Sequence, residues 1–423
     1  MPRIMSDHKE AMRRGLSAQG GHRGFSGRTS LDEATAWIDA CGAAPRAEEI
    51  ALSAAAGRRL AVPLDAPWEI PPADRAAADG YALRSADTVG ASDYTPLELR
   101  AGEACEELTA GAASPIVAGA PLPRGADAIL PFEAARERGS TLEVFSAVAE
   151  GWGIQRKGQQ VQAGARLCEA LHRLRPQDIG LLALLGVERL RVVARPRVRL
   201  LVFPPKGCGD AGGREDANTP MLRTLVERDG GSVGEATALD SGESGALTEQ
   251  LTGELAGLRE EGGAELIVVA GRSGMGWDDE AAQAIAGAGE LSIHGIALRP
   301  GGSAGMGVVG GAPVLLLPGD PLGCFCAYEM LAGRLIRRLG GGAPELPYEM
   351  AEAEVGRKIV SAVGVVELCR VRLEQGRVEL IGSAVSGGVA SAVRADGFVV
   401  VPAALEGYAP GSRVSVYLYG GRQ

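Results

Sequence analysis

Lysine is almost missing from this chain: of 43 basic residues only Lys9, Lys157, Lys206 and Lys358 are lysine. An anion would therefore be met mostly by arginine, whose planar fork makes bidentate contacts that an ammonium does not. An excess of positive charge is missing too, since 53 acidic residues leave a net charge of −10. That balance argues against a nucleic-acid partner, which needs a broad basic surface, and confines any anion site to a local cluster. No apolar run approaches the roughly 18–20 residues of a membrane span, so no membrane partner is expected. The first 25 residues are polar, basic and glycine-rich without a hydrophobic segment, and residues 1–28 are expected to be a disordered extension. The seven cysteines, Cys41, Cys105, Cys168, Cys208, Cys324, Cys326 and Cys369, are odd in number and contain no Cys-x-x-Cys pair. This disfavours a disulfide framework and a structural zinc site, and a cytoplasmic location is expected.

With 423 residues, 46% of them hydrophobic, the chain is long for one core and should divide into two to four domains of roughly 100–200 residues. Ser30 to Cys41 carries a serine start and apolar spacing at Leu31, Ala34, Trp37 and Ile38, which predicts an N-capped helix. A second helix is expected over Ala47 to Ala55, then a β-rich region to about residue 150. From Pro196 strands and helices alternate at the spacing of a doubly wound α/β domain: strand 197–203, helices 220–228 and 246–259, strand 264–270, helix 279–286, strands 293–298 and 313–317, helix 323–339. Asn218 and Thr219 are expected to cap the first of these helices, with Pro220 in its first turn. After Gly340 the alternation of Arg413 to Tyr419 predicts a small β-barrel or sandwich.

The most specific signal is a set of strand ends. The apolar run Val314 to Leu317 stops at Pro318-Gly319-Asp320-Pro321 and a helix follows at once, so free backbone N–H groups face whatever lies over that edge. Leu298-Arg299-Pro300-Gly301-Gly302-Ser303 reads as a second such end. A third turn, Gly271-Arg272-Ser273-Gly274-Met275-Gly276-Trp277-Asp278-Asp279, joins a strand to a helix, and its glycines let backbone approach a phosphate. Alone, such a turn often only changes direction, and acids at 278 and 279 suit any helix start. Likewise Asp79, in a Gly-Tyr turn, is by itself a turn-stabilising carboxylate. Cys324 and Cys326 read as small core residues.

These segments resemble the molybdopterin molybdenumtransferases of the bacterial MoeA and gephyrin E-domain type, whose patterns are close to Met-Lys-Pro-Gly-Lys-Pro and Leu-Pro-Gly-Asn-Pro-Val-Ser. Pro72 to Arg84 resembles the family's Asp-Asn-Ser-Ala-Met-Asp-Gly-Tyr-Ala loop and keeps Asp74 and Asp79-Gly80-Tyr81-Ala82. Ala120 to Glu133 and Gly153 to Val161 resemble two further blocks, and Ser386 to Ser391 with Ala395-Asp396-Gly397 matches the last domain. The resemblance implies a multidomain α/β and β fold, elongated and MoeA-like, with a doubly wound α/β molybdopterin-binding domain and a small C-terminal β domain. The domains would be 29–56 with 150–180, an inserted 57–149, 181–338 and 339–423.

It also implies Mg2+, molybdate and adenylylated molybdopterin as substrates, AMP release, a homodimer, and a molybdoenzyme or another cofactor-biosynthesis protein as a further partner. By resemblance Asp79, Asp279 and Asp320 are the acid candidates, and Asp79 and Asp279 the metal ligands. Gly271, Arg272, Gly276, Arg299, Pro300, Gly301, Gly319 and Ser391 are the substrate-binding candidates.

Departures from the family gather at the same place. Its Thr-Gly-Asp-Glu-Leu is Pro204-Pro-Lys-Gly-Cys-Gly-Asp210 here, the loop serine is Gly274, and Gly302 and Gly323 stand for a lysine and a serine. Asp320 stands for asparagine, Gln159 for glutamate and Ala118 for threonine. Each lost charged partner costs several kcal/mol of ligand binding, unless Arg272 or Lys206 compensates. A catalytically degenerate, molybdopterin-binding paralogue serving enzyme maturation is therefore the alternative.

Overall fold

The computed structural model describes residues 27–41, 45–203, 216–239, 249, 251–254, 264–276, 279–384 and 386–420. Lys206, Cys208, Asp210, Asp278, most of the expected helix 246–259 and nearly all of the expected extension lie outside these residues. Two compact units form: Ala47–Val193, and Met1–Arg46 together with Ala194–Gln423. Among the described residues no helix is long and apolar enough to cross a membrane.

The larger unit is built on a six-stranded sheet in the order Ser232–Ala238, Arg197–Val202, Leu266–Ala270, Ala312–Leu317, Gly305–Val309, Glu290–His294. The first four strands are parallel, Gly305–Val309 runs opposite to them, and Glu290–His294 runs with them again. Because side chains alternate along a strand, Leu200 and Val268 enter one core with Leu222 and Leu335, while Leu201, Val269 and Leu316 enter another with Ile285. Helices thus cover both faces, the doubly wound arrangement read from the sequence. Chain order reverses between Arg197–Val202 and Leu266–Ala270, so the loops leaving those two strands flank a switch point.

Helix Leu31–Ala40 starts as expected, with a capping box between Ser30 and Glu33. Its buried Leu31, Ala34 and Ile38 join the first core, and Arg334 donates to both oxygens of Asp39 at 2.9 and 2.7 Å. The long helix after the sheet runs Pro321–Ala327, widens to a π-turn over Tyr328–Ala332, and continues as Gly333–Leu339.

Two expectations are corrected. Ala47–Ala51 is a strand, not a helix: it pairs antiparallel with Arg189–Val193, and Arg189 Nε donates to Glu49 at 2.7 Å. Alanine and glutamate favour a helix in isolation, and strand pairing overrides that local preference. The expected strand 293–298 divides into Glu290–His294 and Leu298–Arg299, with Gly295 at φ +86 between them.

Beyond residue 348, Val366–Glu374, Arg377–Gly382, Glu349–Val355, Arg413–Leu418 and Gly397–Val401 form a closed small barrel, since the first and last also pair. Leu298–Arg299 adds to it beside Val366. The smaller unit holds a six-stranded sheet of short strands, including Gly80–Leu83, and several two-stranded ribbons.

Candidate functional site

Three loops meet at the carboxyl ends of the parallel strands. Gly271 follows Leu266–Ala270 at φ +101, and a β-carbon there would stand 2.8 Å from Phe203 Cβ. A β-carbon on Gly319 would come within 3.2 Å of Gly271 Cα. Only glycines let these two backbones lie against each other. Arg272 follows in the left-handed region at φ +51, a conformation that costs an arginine about 1 kcal/mol or more. Ser273, buried beneath it, bonds Ser303 through their hydroxyls at 2.8 Å, and its carbonyl meets His294 Nε2 at 2.8 Å. That bond requires the Nε2–H tautomer, and burial holds the His294 pKa below its ordinary value. Loop 271–276 is thereby tied to the turn Arg299–Ser303.

The N–H groups of Ser273, Gly274, Met275, Gly301, Gly302, Gly319 and Asp320 have no hydrogen-bond partner among the described residues. Such rows of N–H groups suit an anion.

The acids close turns with one oxygen and leave the other without a partner among the described residues. Asp279 lies two residues before helix Ala281–Ala288, and its Oδ2 accepts from Gly276 N at 2.8 Å. This carboxylate folds over Gly274, where a β-carbon would collide with Oδ2. Asp320 is the N-cap of Pro321–Ala327, accepting from Gly323 N at 2.7 Å. Gly276 and Gly319 contribute main chain, and buried Gly301, at φ +116, packs on Leu298 and Ala327 beside Pro300. Arg299 is exposed.

Sequence reasoning missed three participants. Asp216, not Asn218 or Thr219, caps helix Asn218–Arg228: its Oδ1 accepts from Asn218 N at 2.8 Å and Thr219 N at 3.0 Å. Asn218 is released to donate through Nδ2 to Gly319 O at 2.9 Å, and its buried Oδ1 has no donor among the described residues. The Asp-x-Asn spacing just before Thr219-Pro220 was the available signal. Arg28 is the third: a β-carbon on Gly302 would lie 3.5 Å from Arg28 Cζ. A guanidinium thus covers the place where the family pattern has a lysine, a replacement across 274 positions that no local motif reveals.

Ser391, a substrate-binding candidate by resemblance, lies in the interior. It is buried, accepting from Arg370 Nε at 3.1 Å and donating to Gly388 O at 2.7 Å. It anchors an arginine that is itself fully buried. Cys324 and Cys326 are buried core residues as read from the sequence, and burial pushes the Cys326 thiol up to about 12.

Asp79 belongs to the smaller unit. It is exposed, and its Oδ1 accepts from Ala118 N at 2.7 Å. The next residue must be glycine, because a β-carbon on Gly80 would strike Leu130 O. Asp74 accepts from Lys157 N and Arg156 Nη1, both at 2.8 Å, and the Lys157 N–H, helped by Arg156, holds its pKa below the usual value. The family-like segments around residues 74–80, 118 and 153–159 therefore converge on one end of this unit.

For magnesium, which takes one or two carboxylates and completes its shell with water and phosphate, the hard second oxygens of Asp279, Asp320 and Asp79 are suitable donors.

A doubly wound sheet with a glycine-lined, N–H-rich edge at its switch point defines a nucleotide- or pterin-binding class. The comparisons narrow this. Residues 29–186 match the model of the MoeA N-terminal region (domain I and II), 188–338 a probable molybdopterin binding domain, and 352–419 the MoeA C-terminal region (domain IV). Molybdopterin molybdenumtransferase 2 of Mycobacterium tuberculosis is 28% identical over 394 residues, covering 87% of this chain and 94% of that protein. The Staphylococcus aureus molybdopterin molybdenumtransferase is 25% identical over 389 residues, covering 87% and 90%. The crystal structure of a Pyrococcus horikoshii molybdopterin biosynthesis MoeA protein superposes with a TM-score of 0.76 at 28% identity, covering 94% of this chain and 100% of that one. The chain belongs to the molybdopterin molybdenumtransferase family and so to molybdenum cofactor biosynthesis.

Proposed function

We propose that this chain inserts molybdate into adenylylated molybdopterin with release of AMP, at the edge formed by residues 271–279, 299–303 and 318–320. The observation that carries the reading is the row of N–H groups at Ser273 to Met275, Gly301, Gly302, Gly319 and Asp320 that have no partner among the described residues. They would hold the phosphate of the adenylylated substrate as preorganised dipoles. Arg272, Arg299 and Arg28 supply the positive charge that Gly302 and the chain's scarcity of lysine withhold. Asp279 and Asp320 are the acids that would hold a magnesium ion, which when bound would neutralise phosphate charge.

The binding-only alternative is favoured by one specific observation: Asp279 is folded onto Gly276 N–H over a loop that has lost its serine at Gly274. Incubation of purified protein with adenylylated molybdopterin, molybdate and magnesium decides between them. AMP release supports insertion, whereas tight molybdopterin binding with no AMP supports the maturation partner. We also propose a cytoplasmic homodimer. Light scattering that returned a monomer at micromolar concentration would remove the second of these.

A further inference from the structure

Away from the ligand edge, the smaller unit holds a group of side chains that the proposed reaction does not use. Cys168 ends the strand Arg166–Cys168, and Asp178 lies in the first turn of helix Pro176–Leu184. Between them the chain reverses through Leu171, a leucine in the left-handed region at φ +66. The reversal is fixed from outside: Leu171 N donates to Leu60 O at 2.8 Å, and Leu60 N to His172 O at 3.0 Å. It gathers the Cys168 sulfur, an imidazole nitrogen of His172 and a carboxylate oxygen of Asp178 within 4.8 Å of one another, the only such trio of metal donors among the described residues.

We propose that Cys168, His172 and Asp178 form a three-ligand site for a divalent transition metal of the zinc class, with the fourth position open to water. A sulfur and an imidazole are donors for such ions and poor ones for magnesium or calcium. In a tetrahedral site, bonds of ~2.3 Å to sulfur and ~2.0–2.2 Å to nitrogen and oxygen put neighbouring donors ~3.3–3.6 Å apart. The present separation of His172 Nε2 from Asp178 Oδ2 is 2.8 Å, so the metal would enter between them while the cysteine turns inward by about 1 Å.

The carboxylate is already oriented for this. Arg175 donates to Oδ2 from its N at 2.8 Å and its Nε at 3.1 Å, and to Oδ1 from Nη2 at 3.1 Å. Hydrogen bonds of this kind behind a ligating carboxylate are the usual outer support of a metal site. All three residues are partly exposed, which leaves a path for the ion. Burial and the Asp178 charge, opposed in part by Arg175, hold the Cys168 thiol protonated above its ordinary range. Metal binding must release that proton to solvent, so affinity should rise with pH. The absence of a Cys-x-x-Cys pair hid this arrangement, because its spacing of Cys-x3-His-x5-Asp belongs to no zinc motif named above.

The test uses the full chain, reduced and stripped of metal with a chelator, and titrates it with Co2+. One equivalent should produce a thiolate-to-cobalt charge-transfer band that Zn2+ abolishes. Cys168→Ser should lose the band and one equivalent of bound metal, and His172→Gln should weaken binding at least about tenfold. Zn2+ should raise the melting midpoint of the wild type and leave that of Cys168→Ser unmoved. No band in the reduced wild type, or an unaltered band in Cys168→Ser, would overturn the proposal by assigning the trio to hydrogen bonding alone or the metal to another thiol. Should the serine variant not fold, the His172→Gln titration decides by itself, since unchanged affinity there is equally fatal. None of these readouts depends on molybdopterin chemistry.

Discussion

The α/β edge and the Asp79 end of the smaller unit both resemble the same family, yet they are built on opposite terms. At the edge, two backbones close on each other through Gly271 and Gly319, and the carboxylates of Asp279 and Asp320 are folded onto N–H groups of their own loops. At the other end Asp79 stands exposed with a single N–H from Ala118, while the neighbouring Asp74 is held by Arg156 and Lys157. The first region depends on space and main-chain direction, the second on exposed charge. Adding a side chain at Gly271 should therefore cost stability, whereas replacing the exposed Asp79 should leave it nearly untouched.

The largest effect should come from Gly271→Ala, whose new methyl meets Phe203 in a backbone conformation that alanine resists. We expect a loss of about 2–4 kcal/mol of stability and of all ligand binding. A melting midpoint within a degree of wild type would end the claim that the edge is governed by space. Asp279→Asn comes next: an amide oxygen still accepts from Gly276 N–H, so the melting midpoint should hold while AMP release falls by about a hundredfold or more, the scale of losing one transition-state contact. Unchanged turnover would reduce Asp279 to a loop closer.

Arg299→Ala should weaken molybdopterin binding by about 1.5–3 kcal/mol, and Arg28→Ala by about 0.5–1.5 kcal/mol, measured by calorimetry. An Arg28 variant indistinguishable from wild type would leave Gly302 uncompensated. Asp79→Asn should change stability by no more than about 0.5 kcal/mol, and a larger shift would break the comparison from the other side.

The smallest effect concerns pH. The folded-state pKa of Asp74 is lowered from 3.8, so its contribution is present above that value and disappears as pH falls through the lower folded pKa. Asp74→Asn should lower the neutral plateau of a melting-midpoint profile slightly and flatten its acid limb.

The doubly wound core was legible because its strands are nearly continuous apolar runs, as in Val314 to Leu317, and because Pro318-Gly319 marks their end. The glycine frame of the edge was legible for the same reason. Ala47–Ala51 was misread, since its residues prefer a helix until Arg189–Val193 pairs with them. The roles of Asp216 and Asn218 were hidden by a local capping pattern that shifts by two residues in three dimensions. Ser391 was placed by matching a motif, and only burial shows it serving Arg370. Arg28 and Gly302 are joined by folding alone.

The two-residue strand Leu298–Arg299 pairs with Val366 and Glu367 of the barrel, and the turn that follows rests on Ala327 of the long helix. Just past the last barrel strand, Tyr419 meets Phe325 of that same helix edge to face, with ring centroids 5.8 Å apart. Arg299 is thus fastened to the barrel by its own strand pairing with Glu367, with no segment of chain between the two. The barrel works like a tuning peg for that guanidinium: a change in how it seats retunes the pitch of the edge although no residue of the edge has been touched.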